Sequence, residues 1–289
     1  MRGLVLSGGG AKGAYQAGVL EYLLGVEGRS YDILCGISVG ALNAGCLAQF
    51  KKGEEKAADK ELVALWRSIN TAKVYKKWPI VGELAALWKS SVYDSTPLQQ
   101  FVRARLDPVK LKSSGKKLRV GAVSLNTGEY QLFGEDHPSI VEAVLASSAF
   151  PGMLSPVSLD GQVWTDGGVR EVTPLRAALD LGATEVDIIV CAPENASYKF
   201  PKNLTTLKVA ERSIDLMSDE ITSNDLKIAS MYNRLVRAGL AKPKREVKLR
   251  VFRPKEVLLE NSLDFEPAGI KAMLLKGFQD ARDHVVAGE

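Results

Sequence analysis

Two strand-to-helix junctions fall within the first forty residues, and they limit the fold of this 289-residue chain more than any other feature. Arg2 to Ser7 is an apolar run of strand length that ends in Gly8-Gly9-Gly10-Ala11-Lys12-Gly13. A helical pattern follows from about Ala14 to Leu24, with Ala17, Leu20, Leu23 and Leu24 at helical spacing. Tyr31 to Gly36 is a second apolar strand, and Val39 to Phe50 a second helix, rich in small residues. Strand, helix, strand, helix is the opening of an α/β fold with a mostly parallel central sheet flanked by helices.

The rest of the chain fits that frame. Leu118 to Leu125 and Glu129 to Phe133 read as a strand pair joined by Asn126-Thr127-Gly128. Ile140 to Ser148 is a helix that stops before Pro151, and Gln162 to Thr165 a short strand leading into Asp166-Gly167-Gly168. Pro174 opens a helix to about Leu181 that Gly182 closes, and Val186 to Cys191 is a fully apolar strand. Lys51 to Tyr93 reads as interrupted helix carrying Trp66, Trp78 and Trp88, with a break at Pro79. Beyond Pro201 come a long amphipathic helix, Leu204 to Leu240, a strand over Lys248 to Phe252 and a helix over Pro267 to Val286. No repeat or linker divides the chain. Residues 1 to 289 are therefore expected to form one domain, with a motif-bearing core over about 1–200 and a mostly helical C-terminal region over about 201–289.

Charge and cysteine usage exclude some partners. The 38 Lys and Arg against 34 Asp and Glu leave +4, too little to argue for nucleic acid. Cys35, Cys46 and Cys191 are odd in number and lack C-x-x-C spacing, which reads as buried thiols in a reducing compartment. The opening MRGLVLSGGG does not read as a signal peptide, and no apolar run reaches the length of a membrane span. A cytoplasmic protein is expected, meeting a membrane, if at all, peripherally.

Three motifs carry chemistry. Gly36-Ile37-Ser38-Val39-Gly40 lies where a strand turns into a helix. A serine there is held in a strained conformation with its hydroxyl projecting from the sheet. The flanking glycines are required because a Cβ would meet the neighbouring strand and helix, and the new helix adds positive partial charge. The pattern alone also occurs in plain Gly-rich turns; its setting is what points to a nucleophile. Gly8 to Gly13 exposes several backbone N–H groups, which suit a phosphate or a developing oxyanion. Gly8, Gly10 and Gly13 also satisfy the dinucleotide fingerprint, with Asp32 at about the expected distance, so a Rossmann-type dinucleotide-binding enzyme is one alternative. Against it, Asp32 opens the second strand, whereas the ribose-binding acid belongs at its far end. A P-loop fails because Ala14 follows Gly13. Lys12 reads equally as a functional cation and as a solvated loop lysine. Asp166-Gly167-Gly168 would be an ordinary turn, except that Ser38 needs a proton acceptor. The chain has two histidines. His137 sits in the polar turn Glu135-Asp136-His137-Pro138, and His284 in a tail expected to fray. A Ser–Asp dyad is the economical solution.

In their order, Gly-rich loop, G-x-S-x-G and D-G-G, the motifs resemble those of the patatin-like phospholipase family. Ala146-Ser147-Ser148-Ala149-Phe150-Pro151, Asp94 to Leu98 and Phe265-Glu266-Pro267 add to the likeness, which is strong over residues 1 to 190 and weak beyond. The resemblance implies lipid acyl hydrolysis by a Ser–Asp dyad, with no metal and no cofactor. Ser38 matches the nucleophile and Asp166 the general base. Gly8, Gly9 and Gly10 match the oxyanion-hole loop, with the Val39 backbone N–H as a further donor. Gly13, Gly36, Gly40, Gly167 and Gly168 complete the motifs. The implied partner is a phospholipid or other fatty-acyl ester at a peripheral membrane surface, not nucleic acid; the oligomeric state stays open, a homodimer included. Many relatives carry an Asn shortly after D-G-G, where this chain reads Val169-Arg170-Glu171-Val172-Thr173-Pro174, so the buttress of the loop after Asp166 is undefined. Trp66 to Leu98 and the region after Leu204 are candidates for a pocket wall or cover. Lys73, Lys76, Lys77 and Trp78 have the mixture of membrane-surface segments, although a tryptophan packed in the core reads the same way. A catalytically silent interaction protein with the same fold is the second alternative, opposed by the presence of every expected catalytic residue type.

Overall fold

The computed structural model describes residues 1–79, 82, 88–194, 205–240 and 246–287. The first half runs β1 (Arg2–Leu6), α1 (Gly13–Leu20), β2 (Ile33–Gly36), α2 (Val39–Ala48), α3 (Glu55–Ser68) and α4 (Thr71–Val74), then β3 (Lys76–Lys77) and β4 (Tyr93–Asp94), α5 (Thr96–Arg103) and α6 (Pro108–Ser113). The second runs β5 (Lys117–Ser124), β6 (Tyr130–Gly134), α7 (Ile140–Ser147), β7 (Val157–Leu159), β8 (Gln162–Asp166), α8 (Leu175–Asp180), β9 (Glu185–Ile189), α9 (Thr206–Arg237), β10 (Lys248–Phe252) and α10 (Pro267–Ala287). The main sheet has the order β10-β9-β1-β2-β5-β8-β7, with β6 also on β5. Neighbours from β10 to β5 are parallel, and β6, β7 and β8 pair antiparallel. The sheet is thus mixed, of mostly parallel strands flanked by helices.

The apolar strands are apolar on both faces because both are covered. Leu4 and Leu6 of β1 join one core cluster with α1, α2, α3 and α10, while Val5 joins a second with Leu175, Ala177 and Ala178 of α8. The crossover from β1 to β2 and the small residues of α2 follow from that sandwiching.

The register of β5 positions the site. β6 runs along Arg119 to Val123, occupying one edge of β5. β2 and β8 therefore share the other edge end to end. Gly36, the last residue of β2, lies opposite Val120, and Asp166, the last residue of β8, lies opposite Ala122. Since β8 is antiparallel to β5 and β2 parallel to it, the C-terminal ends of the two strands abut.

The C-terminal region is built into the fold. β10 extends the sheet beside β9. α10 crosses α1 with backbones nearly touching: a Cβ on Gly18 would lie 2.0 Å from the Leu274 carbonyl oxygen, and one on Gly277 2.1 Å from that of Tyr15. The Tyr15 hydroxyl donates to Asp280 across this contact at 3.2 Å.

Some local expectations change. The first helix is α-helical to Leu20 and then widens to a π-turn over Glu21–Val26, where Gly25 lies under the Asp59 carboxylate. The interrupted helix expected up to Tyr93 gives way to the antiparallel pair of β3 and β4. The candidate cover over Trp66 to Leu98 falls partly on residues 80, 81 and 83–87, outside the described residues, as does the expected helix start at Leu204. His284 does not fray: its ring packs on Phe252, with centroids 4.6 Å apart. Among the described residues, no helix is long and apolar enough to cross a membrane.

Candidate active site

Ser38 has φ 55° and ψ −126°, a conformation L-residues avoid. It persists because the elbow is held on several sides. The Ile37 N–H donates to the Leu6 carbonyl at 3.2 Å, and the Gly40 N–H to that of Ile37 at 2.8 Å. From the end of α7, Ser147 Oγ accepts the Ser38 N–H at 3.0 Å and Ser148 Oγ donates to the Ser38 carbonyl at 3.2 Å. The flanking glycines are needed for the reason their spacing suggests. A Cβ on Gly36 would lie 2.2 Å from the Gly40 carbonyl oxygen, and one on Gly40 2.2 Å from that of Leu6.

Asp166 is 3% exposed, at the point where β8 meets β2. Its Oδ1 accepts the Gly168 N–H at 2.8 Å, and the Ser38 side chain lies close enough to favour the ionised carboxylate. Burial pushes its pKa up to about 7, against the opposing pull of the Ser38 side chain and the Gly168 N–H. Gly167 allows this turn because a Cβ there would lie 2.3 Å from the Gly121 carbonyl oxygen.

The glycine loop lies in the same wall. Gly9 (φ 154°) and Gly10 (φ 57°) have backbones reserved for glycine, and added Cβ atoms would meet the Cys191 Cβ at 2.6 Å and the Ser262 carbonyl oxygen at 2.1 Å. That Ser262 carbonyl accepts the Ala11 N–H at 2.7 Å, locking the loop from the C-terminal region. Gly8 differs from its neighbours: its N–H donates to the Val172 carbonyl at 3.1 Å. Among the described residues, the N–H groups of Gly9, Gly10 and Val39 have no protein acceptor, so the donors offered to a ligand are these three. Replacing Gly9 or Gly10 by Val should lower kcat on the order of 10²-fold or more, because the added Cβ must push the loop off Cys191 or Ser262, and should lower stability with it. Near-normal kcat in a folded variant would mean the loop binds no reacting oxygen.

Other candidates sort clearly. Lys12 is no solvated loop residue: it is 5% exposed, lies in the cavity wall and has no ion-pair partner among the described residues. Asp32 accepts the Arg2 N–H at 2.9 Å just before β2, the opposite end of that strand from Ser38, so the acid of a dinucleotide site is missing from the loop. The His137 ring accepts the Ser139 N–H at 3.2 Å through Nδ1 and lies 3.1 Å from Asp160 through Nε2. Neither histidine lines the cavity. The loop after Asp166 has a buttress the sequence did not reveal. Asp225 of α9 accepts the N–H groups of Val172 and Thr173 at 3.3 and 3.0 Å, and its burial pushes its pKa up to about 6. Asp215, on the same helix, accepts the Ser262 hydroxyl at 3.0 Å.

These groups open into a cavity of about 980 Å³. One face of α2 (Val39, Leu42, Asn43, Cys46) lines it, continued by Gln49 and Phe50. Across from it stand Leu62 and Trp66 of α3, Phe101 of α5 and Leu106. Trp66 belongs to this wall and to the core, its indole donating to Asn43 Oδ1 at 2.9 Å. Trp78 stacks under the Lys89 ammonium at 5.0 Å and donates to the Ser91 carbonyl. α9 contributes Ile214, Met217 and Ile221.

A family model described as patatin-like phospholipase matches residues 4–179. Among characterised and catalogued proteins, the chain is 29% identical over 180 residues to a cGAMP-activated phospholipase of Pseudomonas aeruginosa, covering 57% of this chain and 52% of that one. It is 29% identical over 200 residues to the uncharacterized protein YjjU of Escherichia coli, covering 68% and 53%. It is 24% identical over 205 residues to calcium-independent phospholipase A2-gamma of Mus musculus, covering 62% and 26%. The chain thus spans about half the length of the first two relatives. Among solved structures, VipD from Legionella pneumophila shares the fold, with TM-score 0.50 and 15% identity over 99% of this chain and 67% of that one. The matched family region ends at residue 179, yet Cys191, Met217 and Ser262 stand in the cavity wall.

Proposed function

The chain belongs to the patatin-like phospholipase family, and on that premise we propose that it hydrolyses fatty-acyl esters of lipids through a Ser38–Asp166 dyad. The observation that carries this reading is a buried carboxylate with its pKa raised, standing beside a strained serine in the wall of a largely apolar cavity. Ser38 Oγ attacks the ester carbonyl as Asp166 accepts its proton. The oxyanion is held by the N–H groups of Gly9, Gly10 and Val39, with the start of α2 adding positive partial charge. The leaving alcohol takes the proton from Asp166. Water then attacks the acyl-enzyme, again with Asp166 as base, and Ser38 is regenerated. A carboxyl group displaced toward neutrality suits both directions of transfer.

The acyl chain lies along α2. Its ten residues span about 15 Å, the length of a saturated chain of roughly twelve carbons. A panel of p-nitrophenyl esters and defined phospholipids tests this. Reaction should quicken with acyl length up to that limit and then level off. Cys46→Trp, which fills the far half of the cavity, should cost long esters about tenfold or more and spare the butyrate. Equal rates at every length would speak for an esterase that does not select acyl chains. Fluorophosphonate labelling separates the enzyme from a catalytically silent protein: an adduct on Ser38 is expected.

A further inference from the structure

One apolar stripe on α9 runs from inside the cavity onto the open surface. Ile214, Met217, Ile221, Ile228, Met231 and Leu235 recur at steps of three, four and seven residues, which keeps them on one side of the helix. The first three line the cavity. The last three stand in solvent, at 61%, 56% and 39% exposure. Soluble surfaces seldom leave such a row uncovered without use. Two features indicate what covers it. The stripe starts in the cavity wall, where Met217 is itself 57% exposed, and between Ile221 and Ile228 it passes Asn224 and Asp225, the latter turned to Val172 and Thr173. From Leu226 to Leu240 the chain carries Lys227, Arg234 and Arg237 and no carboxylate, and Lys227 and Arg234 are exposed beside the stripe. An apolar row edged by cations fits an anionic lipid–water interface.

We propose that the exposed half of α9, with Ile228, Met231 and Leu235 inserted and Lys227 and Arg234 against phosphate head groups, is the surface by which the protein docks on a phospholipid bilayer and draws a lipid into its cavity. The proposal rests on the lipid-hydrolase reading and adds the site of contact. α9 is also tied to the catalytic loops, through Asp225 to Val172 and Thr173 and through Asp215 to Ser262, so docking at its far half bears on an element that braces both.

The test is flotation with vesicles of equal parts phosphatidylcholine and phosphatidylglycerol, using Ser38→Ala protein so that binding is read without turnover. Ile228→Asp/Met231→Asp/Leu235→Asp should weaken binding about tenfold or more, and in the active protein should slow vesicle hydrolysis to a similar degree. Hydrolysis of p-nitrophenyl butyrate should stay within about twofold, which also reports that the variant is folded. Lys227→Glu/Arg234→Glu should weaken binding to the anionic vesicles, and added salt should do the same to the parent protein. Unchanged vesicle binding in the folded triple variant would overturn the proposal. So would a dimer of the parent protein that the triple variant splits without losing vesicles, since the stripe would then meet a second copy. Vesicle binding by a protein that cleaves no ester would sink the hydrolase reading and uphold the docking face.

Discussion

Ser38→Ala is expected to lower kcat for ester hydrolysis by at least about 10⁴-fold in a protein that remains folded. On the proposed mechanism the loss is large because the hydroxyl forms the bond to the acyl group, and without it the donors of Gly9, Gly10 and Val39 have no tetrahedral intermediate to hold. The fold survives because the elbow is held by backbone contacts to Leu6 and by Ser147 and Ser148, none of which needs the Ser38 hydroxyl. Alanine keeps the positive φ of the native backbone and so does not relieve its strain. Ser38→Gly should be equally inactive but more stable than Ser38→Ala by about 1 kcal/mol, since glycine accepts φ 55° without a Cβ penalty. Denaturant midpoints and kcat on the same preparations check both statements. Turnover retained in Ser38→Ala would remove the nucleophile from this account.

Asp166→Asn should lower kcat on the order of 10³-fold or more, because an amide cannot take the serine proton. It should also make the protein more stable at neutral and alkaline pH. The folded carboxyl titrates at about 7 against 3.8 for the free group, so holding it ionised costs on the order of 4 kcal/mol. Because the folded value is the higher one, the favourable contribution of this group is intact below about pH 4 and is lost as pH rises through 7. Asparagine escapes that loss and can still accept the Gly168 N–H. The stability gain over wild type should be fullest above pH 7 and shrink toward pH 4. Wild-type kcat should fall on the acid side of about pH 7, and that limb should persist in His137→Ala/His284→Ala. A collapse of kcat in the histidine double variant, with Asp166→Asn still active, would point to a histidine instead.

The parts of the site legible in the sequence are those set by short-range sterics. Gly36 is fixed within the elbow, where its Cβ would meet the Gly40 carbonyl, and Gly40 by the neighbouring strand, where its Cβ would meet the Leu6 carbonyl; a strand-to-helix turn in a parallel sheet brings both contacts with it. The partnership of Ser38 with Asp166 followed from need and elimination. Its physical cause, two strands meeting end to end on one edge of β5, depends on a register between segments far apart in the chain and leaves no local mark. Three glycines in a row likewise say nothing of which N–H groups are spent; Gly8 donates to Val172 because of where the loop after Asp166 returns. Lys12 was ambiguous because lysine burial is decided by tertiary packing. Asp215 and Asp225 resemble any polar residues of an amphipathic helix, and only the packing of α9 against the two catalytic loops sets them apart. The tail carrying His284 resists fraying because α10 is seated glycine to backbone on α1.

That seating has a consequence for how the protein comes into being. The Tyr15–Asp280 hydrogen bond closes a separation of 265 residues, and the carbonyl that fixes Ala11 belongs to Ser262. A ribosome adds on the order of ten residues per second, so the nucleophile leaves it many seconds before the residues that hold the glycine loop. Throughout that interval α1 has no partner on its glycine face, and the donors of Gly9 and Gly10 are not yet fixed. On the proposed mechanism, the nascent chain carries Ser38 before its oxyanion donors are fixed, and the site is complete only once the C-terminal region has folded onto α1.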